Sequence, residues 1–309
     1  MCGIAGFTHL RHPPPTGRIR AAVGSLIHRG PNQQGVYESR TASLGTARLK
    51  IIDLTGGDQP ITDAASGTVI AFNGEIYNHR ELRAELERRG RRFHSQSDTE
   101  TVLGAFLEWD TACFQRLRGM FAIALWNEAD GRLVLARDRL GIKPLYIHRR
   151  GDDLYFGSEL KAIFVHPEVE RTLSRHGLDC YLSLNYVPAP WTLVEGIEKL
   201  RPGHWLEWRR GAVRTESYWR LPTGGPQPRE SQAAQDELDR LLRQSVAEHL
   251  LSDVPLGVWL SGGIDSSTVL HYAAAASATP LQTFSICFRG YSFDERPYIR
   301  RVARHYGTQ

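Results

Sequence analysis

The chain has few cysteines and no long apolar run, and both shortages narrow the class of protein. Cys2, Cys113, Cys180 and Cys287 lie far apart without a C-x-x-C pair, which argues against a structural zinc site or a disulfide framework. No apolar run reaches the length of about 18 residues that a membrane span needs, and no secretory signal pattern is seen. We therefore expect a cytoplasmic protein without a membrane partner, in agreement with reduced thiols.

The sequence also lacks the common nucleotide-binding signatures and any strong charge bias. It has no G-x-G-x-x-G, which weakens a dinucleotide-binding interpretation, and no Gly-Lys-Ser/Thr of a Walker A loop. The net charge is only +4, and basic runs such as 88–92 follow a helical pattern without interleaved aromatics, so no nucleic-acid partner is expected. A length of 309 residues predicts about two domains.

Residues 1 to about 214 read as many short strands with a few helices. Runs that are apolar on both faces predict sheets covered by further layers. The predicted elements are a buried strand 69–72 ending at Asn73-Gly74, helices 79–90 and 99–109, and a hairpin of strands 120–126 and 132–136 around Asp130-Gly131.

Residues 221–231 are rich in glycine and proline, a composition typical of a linker, and we place the domain boundary there. Beyond it the pattern predicts a helix 233–251, a strand 254–260, a glycine-rich turn with a helix, and a strand 281–288. Strand, helix and strand in that order indicate an α/β domain with a parallel sheet.

The first residues, Met1-Cys2-Gly3, carry the strongest chemical signal. If Met1 is removed, Cys2 holds both a thiol and a free α-amine. Such an amine has a pKa of about 7.7–8.0, so it can accept the proton of its own thiol near neutral pH. This is the arrangement of N-terminal-nucleophile hydrolases.

A second signal is Ser261-Gly262-Gly263-Ile264-Asp265-Ser266-Ser267, between a predicted strand and a predicted helix. Glycines let the backbone turn sharply and expose its N–H groups, and serines add hydroxyl donors. The positive end of the following helix points at the same place, so the segment predicts an anion cradle.

The chain resembles the glutamine-hydrolysing asparagine synthetases, which join a class II (N-terminal cysteine) amidotransferase to an ATP-pyrophosphatase synthetase domain. The resemblance rests on these segments, in order: MCGIAGF, HRGPNQQG, ARLKIIDL, FNGEIYNH, SDTE, LRGMFAIALW, ARDRLGIKPLY, GSELKAI, PGHW, VPLGVWLSGGIDSS and FSICF. It implies an α+β N-terminal-nucleophile hydrolase fold, a four-layer αββα sandwich, over 1–214. A linker at 215–231 and the first part of an α/β parallel-sheet ATP-pyrophosphatase domain (adenine nucleotide alpha hydrolase-like) at 232–309 would follow.

The resemblance also implies roles for residues of the glutaminase domain. Cys2 matches the nucleophile that forms a γ-glutamyl thioester and releases ammonia, and Asn73 and Gly74 match the oxyanion hole. Arg48 matches the residue that binds the α-carboxylate of glutamine, while Glu75 and Asp98 would hold the α-ammonium. Leu49, Lys50, Ile51 and Ile52 would line the glutamine pocket with Arg48. By itself, Asp98 could instead be a helix N-cap, or serve in both roles.

In the second domain the resemblance implies ATP and Mg²⁺ as cofactors. The residues matching the loop that holds the ATP pyrophosphate are Ser261, Gly262, Gly263, Ser266 and Ser267. Asp265 matches a position facing Mg²⁺, and Leu260 and Ile286 match positions flanking the nucleotide. The family activates aspartate as an acyl-adenylate, and ammonia then attacks it to give asparagine, AMP and pyrophosphate. Relatives often dimerise, so a homodimer is the corresponding expectation.

The chain departs from the family in two places. Few residues follow Ser267, fewer than the several βα units of such a domain require, so we expect a C-terminally truncated synthetase domain. Asn32 stands where the family usually has aspartate, which keeps the size but loses the charge and would loosen the loop over the glutamine site.

These departures leave alternatives open. The chain is either an asparagine synthetase, a glutaminase only in this truncated form, a member of the same family acting on another carboxylate acceptor, or a fragment that no longer folds. The intact glutaminase residues argue against the last of these for the first domain. The acceptor cannot be identified from the sequence.

Overall fold

A computed structural model describes residues 2–11, 14, 16–225, 230–288, 290 and 294–309. They divide into two compact units, Met1–Pro222 and Thr223–Gln309. No helix among the described residues combines the length and the apolar character needed to cross a bilayer.

The first unit consists of twelve named strands and six α-helices in its described part. The strands are β1 (Gly3–Thr8), β2 (Gln33–Glu38), β3 (Ala42–Arg48), β4 (Ile61–Thr62), β5 (Thr68–Ile76), β6 (Gly119–Asn127), β7 (Arg132–Arg137), β8 (Tyr146–Arg150), β9 (Asp153–Gly157), β10 (Ile197–Lys199), β11 (His204–Arg209) and β12 (Ala212–Ser217). The helices are α1 (Arg18–Gly24), α2 (His79–Arg88), α3 (Asp98–Trp109), α4 (Cys113–Arg116), α5 (Leu160–Ile163) and α6 (Arg175–Leu184).

These strands form two six-stranded antiparallel sheets. The first sheet has the order β10-β8-β9-β1-β3-β2, and the second has the order β12-β11-β7-β6-β5-β4. β1 and β5 therefore lie inside their sheets, and β5 is covered on one side by β6 along its whole length but on the other side only by the two residues of β4. Among the described residues, no strand pairs with this second edge of β5 beyond Ile70.

Three apolar cores separate four layers. One core lies between α1 and α5 and the first sheet, a second lies between the two sheets, and a third lies between the second sheet and α2 with α3. Alternation along β5 shows how this arises, because Ala71 faces the other sheet while Ile70 and Phe72 face the helices. The predicted αββα sandwich is confirmed, and the strands are apolar on both faces because both faces are covered.

Several local predictions are confirmed and one is wrong. Helices α2 and α3 and the hairpin β6–β7 stand where the sequence predicted them, with Gly131 at a φ of 58° in the turn. The predicted end of the strand at Asn73-Gly74 is wrong. β5 continues to Ile76 because β6 pairs with it as far as Gly119, so the Asn-Gly pair lies inside a strand.

The first unit extends past 214, the predicted end of the first domain, and ends at Pro222, within the segment 221–231 where the boundary was placed. Strand β12 runs to Ser217 alongside β11. The next residue, Tyr218, is buried in the core beneath the second sheet, and its hydroxyl donates to the carbonyl of Arg137 at 2.7 Å. Packing of one aromatic side chain thus keeps the first residues of the predicted linker in the first unit.

The second unit contains α7 (Ser231–His249), β13 (Gly257–Trp259), α8 (Ile264–Ala276), β14 (Gln282–Phe284) and α9 (Arg296–Tyr306). β13 and β14 pair in parallel, with α8 connecting them, as predicted for an α/β domain. Both strands are shorter than the predicted 254–260 and 281–288, since only three residues of each pair. Leu260, Leu270 and Leu281 form the centre of a small core.

Candidate active site

A pocket opens at one end of the space between the two sheets. Nine predicted glutamine-site residues line it: Cys2, Arg48, Leu49, Ile51, Ile52, Asn73, Gly74, Glu75 and Asp98. Lys50, the remaining predicted residue, lies outside this lining. Four lining residues were not predicted: Gln59, Phe72, Thr99 and Lys143.

Cys2 reaches the pocket because it continues the alternation of β1. Ile4 faces the second sheet, so Cys2, two residues earlier, lies on the same face. Its Sγ is 3.3 Å from the backbone nitrogen of Leu49, which donates to it, and 3.5 Å from the carbonyl oxygen of Leu49. Burial raises the pKa of the Cys2 thiol, and the Leu49 hydrogen bond opposes that rise.

Asn73 faces Cys2 from the opposite sheet. It lies on the same side of β5 as Ala71, in the layer between the sheets, and is fully buried. Within the described part of the chain, neither its Oδ1 nor its Nδ2 has a hydrogen-bond partner. An unpaired buried amide costs about 1–3 kcal/mol, so this amide does not stabilise the fold and both of its polar atoms are available to a ligand.

The backbone N–H of Gly74 points to the same place. Phe72 and Ile76 direct their N–H groups away from β6, to Gln59 Oε1 at 2.8 Å and to Asp98 Oδ2 at 3.0 Å. By the alternation of an antiparallel pair, Gly74 directs its N–H to that same free edge, between these two side chains. A Cβ on Gly74 would lie 2.2 Å from the carbonyl oxygen of Met120, so a side chain here would displace β5 from β6.

Asp98 is the first residue of α3, and the neighbouring Ser97 provides the cap of this helix. The possibility that Asp98 caps α3 is wrong, because Ser97 occupies the N-cap and its hydroxyl accepts from Glu100 N at 3.2 Å. Asp98 is therefore free to turn into the pocket. Burial raises the pKa of Asp98 to about 7, and the charge of Glu75 adds to this rise. Hydrogen bonds from the N–H groups of Ile76 and Thr99 oppose it.

Arg48, the last residue of β3, is buried against the loop that follows it. Its Nη2 donates to the carbonyl oxygens of Ile52 and Asp53, each at 2.8 Å. Its Nη1 donates to Asp58 Oδ1 at 3.1 Å. The guanidinium is thus fixed in orientation at the pocket wall, with one carboxylate already beside it.

Two neighbouring residues fix the loop and the nucleophile. Asn32 accepts a hydrogen bond from the backbone nitrogen of Lys50 at 3.1 Å through its Oδ1. Arg29 Nε donates to the carbonyl oxygen of Cys2 at 2.9 Å, and its Nη1 donates to Glu159 at 3.0 Å. Both residues lie in the segment HRGPN, on which the family resemblance partly rests. The sequence did not predict these contacts.

Lys143 brings a buried positive charge to the pocket. Its backbone nitrogen donates to Asp138 Oδ2 at 2.9 Å, and its carbonyl oxygen accepts from Arg137 Nε at 2.8 Å, so the segment that bears it is rigid. Burial lowers the pKa of Lys143, and the charges of Glu75 and Cys2 oppose that change. Only the motif ARDRLGIKPLY could have drawn attention to it.

The second predicted motif forms the turn from β13 into α8. Gly262 has a φ of 80°, and a Cβ there would lie 2.8 Å from Tyr298, so the turn packs closely on α9. The hydroxyls of Ser261 and Ser266 are 2.9 Å apart. In the part of the chain that the structure describes, no side chain caps the first turn of α8. Gly263 is the N-cap, and Ser267 N donates to its carbonyl oxygen at 3.1 Å. Such an end can accept an anion.

The remaining predicted residues of this unit differ in exposure. Leu260 is buried in the core of the second unit, and Ile286 is 67% exposed. Asp265 is exposed on the first turn of α8. In the described residues no three His, Cys, Asp or Glu side chains come together as a metal-binding group, so Asp265 stands as a single carboxylate.

Comparison with known families agrees with this geometry. The family described as glutamine amidotransferase domain matches residues 1–219. The chain belongs to this family. The family described as asparagine synthase matches residues 237–309.

Curated relatives align with most or all of this chain. Asparagine synthetases [glutamine-hydrolyzing] 3 and 1 of Bacillus subtilis are 34% and 35% identical over 100% of this chain, which covers 53% and 49% of their lengths. Asparagine synthetase B [glutamine-hydrolyzing] of Escherichia coli is 35% identical over 87% of this chain and 44% of its own length. The chain thus spans about half the length of these curated relatives.

Solved structures show the same fold. The glutamine phosphoribosylpyrophosphate amidotransferase of Bacillus subtilis matches with a TM-score of 0.51 and 19% identity, over 94% of this chain and 67% of that one. A structure described as the allosteric regulatory enzyme of purine biosynthesis matches with a TM-score of 0.54 and 18% identity, at the same coverage. Together with the four layers, these matches confirm the N-terminal-nucleophile amidotransferase fold.

Proposed function

We propose that the first unit hydrolyses glutamine to glutamate and ammonia at Cys2. The observation that carries this proposal is the unpaired amide of buried Asn73 in the pocket that also holds the Cys2 thiol. A thiol beside two unused N–H donors is what acyl transfer through a tetrahedral oxyanion needs.

The chemistry follows from the positions of these groups. After removal of Met1, the α-amine of Cys2 takes the thiol proton, and Sγ attacks the side-chain carbonyl carbon of glutamine. The oxyanion receives hydrogen bonds from Asn73 Nδ2 and the Gly74 N–H. The C–N bond then breaks, the amine returns the proton to the leaving nitrogen as ammonia, and water hydrolyses the thioester to glutamate and a free thiol.

Substrate orientation is assigned to the charged residues of the pocket wall. The guanidinium of Arg48 would bind the α-carboxylate, and Glu75 and Asp98 would bind the α-ammonium. The ammonium would add a positive charge beside the buried carboxylate of Asp98 and so favour its ionised form. Leu49, Ile51 and Ile52 would contact the aliphatic part of glutamine, and Lys50 would act from outside the pocket lining.

For the whole protein we propose the activity of a glutamine-hydrolysing asparagine synthetase. The ammonia would aminate an ATP-activated carboxylate, with aspartate as acceptor. The turn at Ser261, Gly262, Gly263, Ser266 and Ser267 would hold the ATP pyrophosphate at the N-terminal end of α8. Leu260 and Ile286 would flank the nucleotide. The single carboxylate of Asp265 fits Mg²⁺, which binds one or two carboxylates together with substrate phosphates. A homodimer and a cytoplasmic location are the corresponding proposals, on the family resemblance.

A product assay tests both activities. The chain is incubated with glutamine, with and without ATP, Mg²⁺ and aspartate, while glutamate, pyrophosphate and asparagine are followed together. Glutamate formation that is lost in Cys2→Ala supports the glutaminase, and its absence in the unaltered chain overturns it. Asparagine and pyrophosphate formed in equal amounts support the synthetase, while pyrophosphate formed equally well without aspartate means that ATP cleavage is not coupled to amination of aspartate.

A further inference from the structure

The carboxylate of Asp58 accepts a hydrogen bond from the guanidinium of Arg48, the group that is assigned to the substrate. Both hydrogens of Arg48 Nη2 are donated to carbonyl oxygens, those of Ile52 and Asp53. An arriving carboxylate is therefore left with Nη1 and Nε. Nη1 already donates to Asp58 Oδ1 at 3.1 Å. A ligand carboxylate at Nη1 meets a second negative charge on the same cation.

Lys50 can pair with Asp58 when Arg48 binds another carboxylate. The same oxygen, Asp58 Oδ1, lies 2.9 Å from Lys50 Nζ, which also donates to the carbonyl oxygen of Leu54 at 3.0 Å. The Asp58 side chain is 56% exposed, whereas that of Arg48 is 5% exposed. Water and Lys50 can therefore accommodate Asp58 away from Arg48, but Arg48 has no comparable alternative.

The flanking residues place the backbone of Asp58 beside Arg48, while its exposed side chain can still move. A Cβ on Gly57 would lie 2.5 Å from Arg48 Nη2, so glycine lets the loop lie directly against the guanidinium. On the other side, buried Gln59 accepts a hydrogen bond from Phe72 N at 2.8 Å, and its carbonyl oxygen accepts one from Gln33 at 2.7 Å. Asp58 is thus held between two anchored residues.

We propose that Asp58 competes with the α-carboxylate of glutamine for Arg48 and so sets the affinity of the site for amino acids. The proposal rests on the glutaminase function proposed above. Glutamine displaces Asp58 towards Lys50 when it binds, and Asp58 returns to Arg48 when the product leaves. Because glutamate carries the same α-carboxylate, Asp58 weakens the binding of substrate and product alike and does not act on the reacting amide.

The test compares Asp58→Asn with a matched control. Asp58→Asn removes the charge and keeps the size. We expect the KM for glutamine and the Ki for glutamate to fall together, each by about two- to fivefold, with kcat unchanged, since an exposed ion pair has a worth of this order. The control is Asp110→Asn, because Asp110 is 57% exposed and pairs with a partly buried arginine, Arg132, at 2.9 Å outside the pocket. It should change neither constant.

A second variant separates competition from a direct role of Lys50. In Lys50→Gln, Asp58 keeps only Arg48 as its cation, so we expect the KM for glutamine to rise about two- to fivefold. In the double variant with Asp58→Asn, the KM should return to that of Asp58→Asn alone. A rise in KM of the same size in both backgrounds would mean that Lys50 binds the substrate itself, and would overturn the proposed exchange.

The outcomes distinguish this proposal from the function on which it rests. A glutaminase whose KM is unchanged or raised in Asp58→Asn keeps its proposed function and overturns the role of Asp58. An unaltered chain that hydrolyses no glutamine overturns the proposed function, and the role of Asp58 with it.

Discussion

The Cys2 thiol and the backbone of Leu49 contact each other twice, with Sγ 3.3 Å from the nitrogen and 3.5 Å from the carbonyl oxygen. The carbonyl can receive the S–H of the thiol, and the N–H can stabilise the thiolate. One residue of the loop after β3 therefore suits both protonation states of the sulfur, and holds it at one position while the proton is elsewhere.

Replacement of the nucleophile should abolish glutamine hydrolysis and leave the fold intact. In Cys2→Ala we expect ammonia release to fall by at least about 10³-fold, because no other group in the pocket can form the thioester. The measurement is glutamate formation over time. Cys180→Ala, a partly exposed cysteine on α6, is the matched control and should retain full activity. Equal loss in both variants would point to misfolding.

Loss of the Asn73 amide should slow the reaction without weakening substrate binding. In Asn73→Ala we expect kcat to fall about 10²- to 10³-fold with KM little changed, as for other oxyanion donors. Steady-state kinetics with glutamine provide the test, with Asn127→Ala on the neighbouring strand β6 as control. A large rise in KM with normal kcat would instead assign Asn73 to ground-state binding.

Replacement of Asp98 by asparagine should raise the stability of the chain above pH 7. Its pKa, about 7 in the folded chain, lies above that of the unfolded chain, so the native state binds more protons between about pH 4 and 7, and stability falls as pH rises through that range. Above pH 7, Asp98→Asn should be more stable than the unaltered chain, by up to about 4 kcal/mol. Urea unfolding at pH 8 and pH 4.5 measures this, and the gain should shrink at the lower pH.

The same substitution should impair glutamine binding. In the unaltered chain kcat/KM should rise with pH through a pKa near 7 as Asp98 ionises, and Asp98→Asn should raise KM and lose this part of the profile. Asp130→Asn, in the exposed turn between β6 and β7, is the control for both measurements. A profile unaffected by Asp98→Asn would contradict a role in binding the α-ammonium.

The two units should respond separately to changes in the second motif. In Asp265→Ala we expect unchanged glutamine hydrolysis but Mg²⁺-dependent ATP binding weakened by at least about tenfold, as for other groups that tune a bound metal. Calorimetry with ATP and Mg²⁺ measures binding. Asp236→Ala, on exposed α7 of the same unit, should leave it unchanged. Loss of glutaminase activity in Asp265→Ala would contradict the assignment of two separate sites.

The sequence predicts the layers of this fold better than the details of its site. Periodicity locates α2, α3 and the β6–β7 hairpin because those signals are local. Gln59 and Lys143 were not predicted, since their positions depend on a loop anchored to a distant strand and on the buried carboxylate of Asp138. Ser97 rather than Asp98 caps α3, and adjacent polar residues at a helix start do not distinguish these roles in sequence alone.

Beyond Ile70, one edge of β5 pairs with no strand among the described residues. On this edge the N–H groups of Phe72 and Ile76 donate to the side chains of Gln59 and Asp98. The N–H of Gly74, between them, occupies the position of one hydrogen bond that a neighbouring strand would have made. A carbonyl entering the pocket meets there the donor geometry that a neighbouring strand would have offered. A single open N–H group is too little to pair with a strand from another chain. The Gln59 and Asp98 side chains that shape the pocket therefore also protect this edge of the sheet from edge-to-edge aggregation.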